Sequence, residues 1–79
     1  MAREIKILGG GCARCEALYN NAKKAVEELG IEAEVKEVKD LTQIAAHGVM
    51  QTPALVVDGK VVSQGKVLTA EEIKKVLSN

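Results

Sequence analysis

The spacing of apolar residues along the chain changes several times, and each change marks an element. Between Glu4 and Leu8, the residues Ile5, Ile7 and Leu8 are apolar, and the run stops at Gly9-Gly10-Gly11. This predicts a short central strand entering a permissive loop. From Cys12 onward, Cys15, Leu18, Ala22, Ala25, Val26 and Leu29 recur at helical steps, with Lys23, Lys24, Glu27 and Glu28 between them. That is the period of an amphipathic helix. Gly30 stops it at the usual position after the last turn, and Ile31 follows where a capping hydrophobic contact is made. Ile31, Ala33 and Val35 then alternate with Glu32, Glu34 and Lys36, the period-two pattern of a half-exposed edge strand. Asp40 with Gln43 resembles a capping box opening a short helix that carries Leu41, Ile44 and Ala45 and ends near His47-Gly48. After Gln51-Thr52-Pro53 comes the compact apolar strand Ala54-Leu55-Val56-Val57. Asp58-Gly59 is a type I′ hairpin signal, and Val61 and Val62 continue on the return strand to Gln64-Gly65. Thr69 with Glu72 forms a T-x-x-E capping box before a final helix lined by Ile73, Val76 and Leu77.

The order is β-α-β-α-β-β-α. The first two strands flank a helix and are expected to pair in parallel through a crossover, while the last two form an antiparallel hairpin. An α/β fold follows, with one mixed four-stranded sheet flanked by helices that bury the apolar face of every element. A chain of 79 residues has room for a single domain, here residues 1–79, and none for a deep enclosed ligand cavity.

Composition narrows the function. Eleven basic residues balance eleven acidic ones, so the electrostatic footprint of a nucleic-acid or anionic-membrane binder is missing. With no Trp, no Phe and one Tyr, there is no platform for stacking bases. Charges interrupt Met1-Ala2-Arg3-Glu4-Ile5-Lys6-Ile7, unlike a signal peptide, and a cytoplasmic location is expected. Structural disulfides are rare there. Both cysteines nonetheless fall in one Cys-x-x-Cys, Cys12-Ala13-Arg14-Cys15.

That motif stands at the carboxyl end of the first strand and the start of the first helix, where sites form in open α/β sheets. A helix start presents unpaired N–H groups and a partial positive charge. Arg14 adds a full charge, and the glycines ending at Gly11 leave the first sulfur open to approach. Together these are expected to draw the Cys12 thiol down from about 8.5 to roughly 6–7.5. Cys15 lies one turn on, in the apolar stripe, so Cys12 reads as nucleophile and Cys15 as resolver of the mixed disulfide. Two other readings use the same pair. A structural disulfide closing so short a loop removes little chain entropy, about 2 kcal/mol. Two thiolates also suit Cu(I) or Zn(II), but a full zinc site needs four ligands and only His47 offers itself beyond the pair.

Taken with Thr52-Pro53 before the hairpin, Asp58-Gly59 in its turn and Gly65 after it, Gly11-Cys12-Ala13-Arg14-Cys15 resembles the thioredoxin superfamily. The likeness is closest to the small thioredoxin-like and glutaredoxin-like redox-active disulfide proteins of archaea and bacteria, and it covers nearly the whole chain. The resemblance implies a thioredoxin-like fold and a thiol–disulfide oxidoreductase that needs no cofactor of its own. It implies a cis peptide before Pro53, packed against the cysteine pair, and a main chain at Thr52 that pairs with a bound substrate segment. Gly11, Thr52 and Pro53 are thus the expected substrate-binding residues, Cys12 and Cys15 the catalytic ones, and Arg14 the residue tuning the thiol. The middle pair Ala13-Arg14 lacks a proline, and no tryptophan precedes the motif. Gln64-Gly65-Lys66 does not reproduce the glutathione-holding pattern of glutaredoxins. Disulfide-containing proteins are the expected substrates of a monomeric enzyme, with a thioredoxin-reductase-like flavoenzyme as electron donor. The rival is the heavy-metal-associated domain of copper chaperones. It also carries Cys-x-x-Cys after its first strand, but runs β-α-β-β-α-β and has a methionine where Gly10 stands.

Other residues read more plainly. His47 is expected to cap carbonyls at a helix end, Tyr19 to half-cover the helix surface, and Met50 either to pack or to join an adaptable docking patch. The Lys23-Lys24 and Glu27-Glu28 cluster, like Glu71-Glu72 and Lys74-Lys75, is spaced for ion pairs on solvated helix faces.

Overall fold

The computed structural model describes residues 3–9 and 12–78. Its elements are β1 (Arg3–Leu8), α1 (Ala13–Leu29), β2 (Ala33–Val38), α2 (Leu41–Ala46), β3 (Ala54–Val57), β4 (Lys60–Gln64) and α3 (Ala70–Ser78), in the expected order. The sheet runs β2-β1-β3-β4. β1 pairs in parallel with β2 and antiparallel with β3, and β3 pairs antiparallel with β4. The parallel pair needs a long crossover, and α1 supplies it.

Side-chain alternation splits the core between the two faces. Ile5, Ile7, Leu55 and Val57 point to the face covered by α1 and α3, where they meet Leu18, Ala22, Ala25, Ile73 and Leu77. Leu8, Ala54 and Val56 point to the other face and meet Ile44 of α2, with Val38, Val49 and Val61 around them. All four residues of β3 are buried because both faces of that strand are covered, which is why it reads as an unbroken apolar run. With six residues, α2 is too short to hold itself as an isolated helix. Ile44 is its one buried residue, so docking through that side chain is what fixes it.

The helix ends use the chemistry their sequences offer. Gly30 is left-handed and its N–H donates to the carbonyls of Val26 and Glu27, at 3.0 and 3.2 Å. Asp40 caps α2 by accepting from the N–H of Thr42 at 2.8 Å. At the other end it is the main-chain N–H of His47, a group any residue there would offer, that reaches the Gln43 and Ile44 carbonyls at 3.3 and 3.2 Å, in place of the imidazole cap expected. Thr69 and Glu72 form the full reciprocal box before α3, at 3.0 and 3.2 Å. The helical charge clusters also do more than pair along one helix. Lys74 of α3 reaches Glu28 of α1 at 2.6 Å and Glu71 at 2.8 Å.

The hairpin turn has positive φ at both Asp58 and Gly59, 51° and 83°, as a type I′ turn requires. The return strand departs from regular alternation. Leu55 faces Ser63 while Val56 faces Val61, so Val62 is the extra residue of a bulge, a device that twists an exposed edge strand away from further pairing. Among the described residues no helix is long and apolar enough to cross a membrane.

Candidate active site

The site is built where β1 ends. The N–H of Gly9 donates to the Val38 carbonyl at 2.9 Å, carrying the sheet ladder one residue past the strand. The φ of Gly9 is 151°, a conformation that side chains disfavour. A Cβ built there would lie 2.6 Å from the Cys15 sulfur and 3.5 Å from the Thr52 Cβ. The strand end, the second cysteine and the residue before the proline therefore meet over a bare Cα. Gly10 and Gly11, including the expected substrate contact at Gly11, lie outside the described residues.

Cys12 is the N-cap of α1 and has extended backbone angles. Its sulfur accepts a hydrogen bond from the Cys15 N–H at 3.1 Å, and its carbonyl accepts from the Glu16 N–H at 3.1 Å. An N-cap acceptor takes one of the otherwise unpaired donors of the first turn. When that acceptor is sulfur, the same bond and the positive helix end favour thiolate over thiol. The cysteine side chains differ sharply in access, Cys12 being exposed and Cys15 only 1% exposed. Their Cα atoms are 5.2 Å apart and their sulfurs stand in disulfide contact.

The remaining site residues come from the other end of the chain. The Thr52–Pro53 peptide is cis. Thr52 is exposed and Pro53 buried. The carbonyl of Pro53 accepts from the Gly65 N–H at 2.9 Å, and the Gly65 carbonyl in turn accepts from Nη2 of Arg14 at 2.9 Å. Arg14, expected beside the thiol for its charge, thus clasps the connection after β4. Tyr19 packs against the core with the Lys23 ammonium 5.5 Å from its ring centroid. Met50 is 90% exposed, on the segment leading to Thr52. Among the described residues no group of three or more His, Cys, Asp or Glu side chains is placed to hold a metal ion. The last described element is a helix, against the strand that the copper-chaperone order requires.

Residues 3–78 match the family model described as a thioredoxin domain. The chain belongs to the thioredoxin family. A thioredoxin of Methanothermobacter thermautotrophicus is 48% identical over 75 residues, spanning 95% of this chain and 97% of that one. A thioredoxin of Methanocaldococcus jannaschii is 47% identical over 75 residues, spanning 95% of this chain and 86% of its own. A solved structure described as "Structure of a malarial protein" superposes with a TM-score of 0.76 over 99% of this chain and 96% of that one, at 8% identity, a likeness of fold alone.

This thioredoxin-family chain is a thiol–disulfide oxidoreductase, and its Cys12–Cys15 pair stands at disulfide distance. Sequence reasoning named both cysteines, Arg14, Thr52 and Pro53. It missed Gly9 as a contact of the Cys15 sulfur, and Gly65 as the link between Arg14 and Pro53. The signal at Gly9 was faint, because it is one of three successive glycines and only the end of the β1 ladder singles it out. Gly65 was read only as the glycine that follows the hairpin, since both of the partners it links are distant in sequence.

Proposed function

We propose that this protein reduces disulfide bonds in other proteins by a two-cysteine exchange cycle. The Cys12 thiolate attacks one sulfur of a substrate disulfide. The substrate S–S bond breaks, its other sulfur leaves as a thiolate, and a mixed disulfide forms at Cys12. The Cys15 thiolate then attacks the Cys12 sulfur and releases the second substrate thiol. Two electrons pass to the substrate and the protein is left with the Cys12–Cys15 disulfide. A dithiol donor must restore the pair, and a thioredoxin-reductase-like flavoenzyme is the partner we assign to that step. The observation that carries the reading is the contrast between the sulfurs: Cys12 exposed at the helix cap and Cys15 buried behind it.

Thr52 is exposed, and its main chain is where an extended substrate segment would pair, by strand addition beside the sulfurs. The cycle suits a reducing compartment, and we place the protein in the cytoplasm, acting as a monomer. With the helix start as the positive end beside Cys12 and the Arg14 guanidinium held on the Gly65 carbonyl, the pair should titrate between about −180 and −280 mV. Reduction of insulin disulfides with dithiothreitol, repeated with a thioredoxin reductase, tests the activity and the donor together. Titration against a glutathione or dithiothreitol buffer tests the couple. If no reversible two-electron transition occurs in that span, the exchange cycle is wrong.

A further inference from the structure

One dipeptide ties together the connections around the two sulfurs. Gln64 is the last residue of β4 and pairs with Ala54 at the start of β3. Its side-chain Oε1 accepts from the main-chain N–H of Met50 at 3.0 Å. The next residue, Gly65, donates to the Pro53 carbonyl and accepts from Arg14, each at 2.9 Å. Gln64-Gly65 therefore grips the Met50–Pro53 segment at both ends, and Arg14 joins that grip to the start of α1. The gripped segment has no helix or strand of its own. The Met50 side chain is 90% exposed, so its own burial does not hold that end of the segment. The neighbouring Val49 packs against the second core, and beyond it the hydrogen bond to the Met50 N–H is the contact that ties this end to β4. Gly65 must stay bare for the fit, because its φ is +73° and an added Cβ would press on the Gln51 side chain, 3.2 Å from its Cβ.

We propose that Gln64 is a positioning residue for exchange with protein disulfides. Its amide oxygen fixes the register of Met50, Gln51 and Thr52, and so the direction in which the Thr52 main chain meets an extended substrate segment. This rests on the exchange cycle proposed above and adds a substrate preference to it. A protein substrate that pairs along Thr52 needs the brace, whereas a small disulfide that only reaches Cys12 does not.

Two variants of similar length separate the roles. Gln64→Met removes the acceptor, and Gln64→Glu keeps an oxygen in its place. KM and kcat are measured with insulin and with bis(2-hydroxyethyl) disulfide, and amide hydrogen exchange is followed at Met50. In Gln64→Met, the KM for insulin should rise about three- to tenfold, the range expected for one lost neutral hydrogen bond. In the same variant kcat and the small-disulfide reaction should hold, and the Met50 amide should exchange faster. Gln64→Glu should restore both the insulin KM and the protection of Met50. An unchanged insulin KM in Gln64→Met, an equal loss with the small disulfide, or a Met50 amide indifferent to all three side chains would each overturn the assignment. A wild-type protein inert toward both disulfides would overturn the exchange cycle itself, a result distinct from any failure confined to the variants.

Discussion

The two ends of the sheet are closed by different chemistry. Where β1 begins and the β3–β4 hairpin turns, charge does the closing. The Asp58 carboxylate accepts from the Glu4 N–H at 3.0 Å and from Nε of Arg3 at 3.1 Å, while the Asp58 N–H donates to the Glu4 carbonyl at 2.7 Å. The Arg3 guanidinium also donates to the Leu77 carbonyl near the end of α3. At the opposite end the contacts are to backbone and sulfur instead of carboxylate: Gly9 against Cys15 and Thr52, the Cys12 sulfur on a helix N–H, Gly65 between Pro53 and the Arg14 guanidinium, and the Gln64 amide on the Met50 N–H. An ion-paired end directs its donors to its own carboxylate and carbonyls. A reactive end needs a donor aimed at a sulfur that becomes charged, and room for a substrate to approach. The molecule keeps these demands apart by the length of a strand.

The comparison breaks most completely at the cysteine end. Cys12→Ser should abolish turnover of a disulfide substrate while leaving the thermal midpoint of the reduced protein nearly unmoved, because Cys12 is exposed. Insulin reduction beside a melting curve of the reduced protein shows both. Next comes Gly9→Ala. Its Cβ would lie 2.6 Å from the Cys15 sulfur on a backbone with φ 151°, so stability should fall by about 1–3 kcal/mol and closure of the disulfide should slow. Gly59→Ala, also at positive φ but with nothing within 4 Å, should bear the backbone strain alone and leave disulfide closure at its normal rate. Denaturant melts and the kinetics of thiol loss compare the two.

At the other end the effects are smaller and depend on pH. The Asp58 carboxyl is held below its ordinary pKa, first by the Glu4 N–H and then by Arg3. A carboxyl with a lowered folded-state pKa stabilises the fold above the unfolded value, about 3.9, and loses that contribution as pH falls through the folded value. Asp58→Ala should therefore lower the melting temperature at neutral pH and flatten its decline below about pH 4, without changing exchange kinetics. The smallest effect is expected at Lys74. Its pairs with Glu28 and Glu71 lower the Glu28 pKa and raise its own, but exposed ion pairs are worth little. Lys74→Met should shift the melting midpoint by an amount near the limit of detection and change its salt dependence more than its value.

Much of this was legible from local pattern. The two-residue and helical periods gave every element in order, Gly30 and the Thr69–Glu72 box gave helix ends, and Asp58-Gly59 gave the turn. Cys12 and Cys15 were legible because spacing on one helix assigns both proximity and unequal burial. What local pattern could not supply was register across the sheet. The bulge at Val62 shifts the end of β4 by one residue, and only that shifted register sets Gln64 beside Met50 and Gly65 beside Pro53. Arg14 was read as a charge next to a thiol, yet its guanidinium reaches a carbonyl 51 positions away in sequence. Val38 lies on the α2 face rather than with Ala33 and Val35, as strict alternation along β2 requires.

The central claim is the division of labour between the sulfurs, and trapping tests it most directly. Each of Cys12→Ser and Cys15→Ser is exposed to a disulfide-containing protein, and adducts are located by mass spectrometry. Loss of the resolving thiol should leave the substrate joined to Cys12 in Cys15→Ser, while Cys12→Ser, whose remaining thiol is buried, should stay free. A stable adduct on Cys15 in Cys12→Ser, with none on Cys12 in its counterpart, would contradict the account.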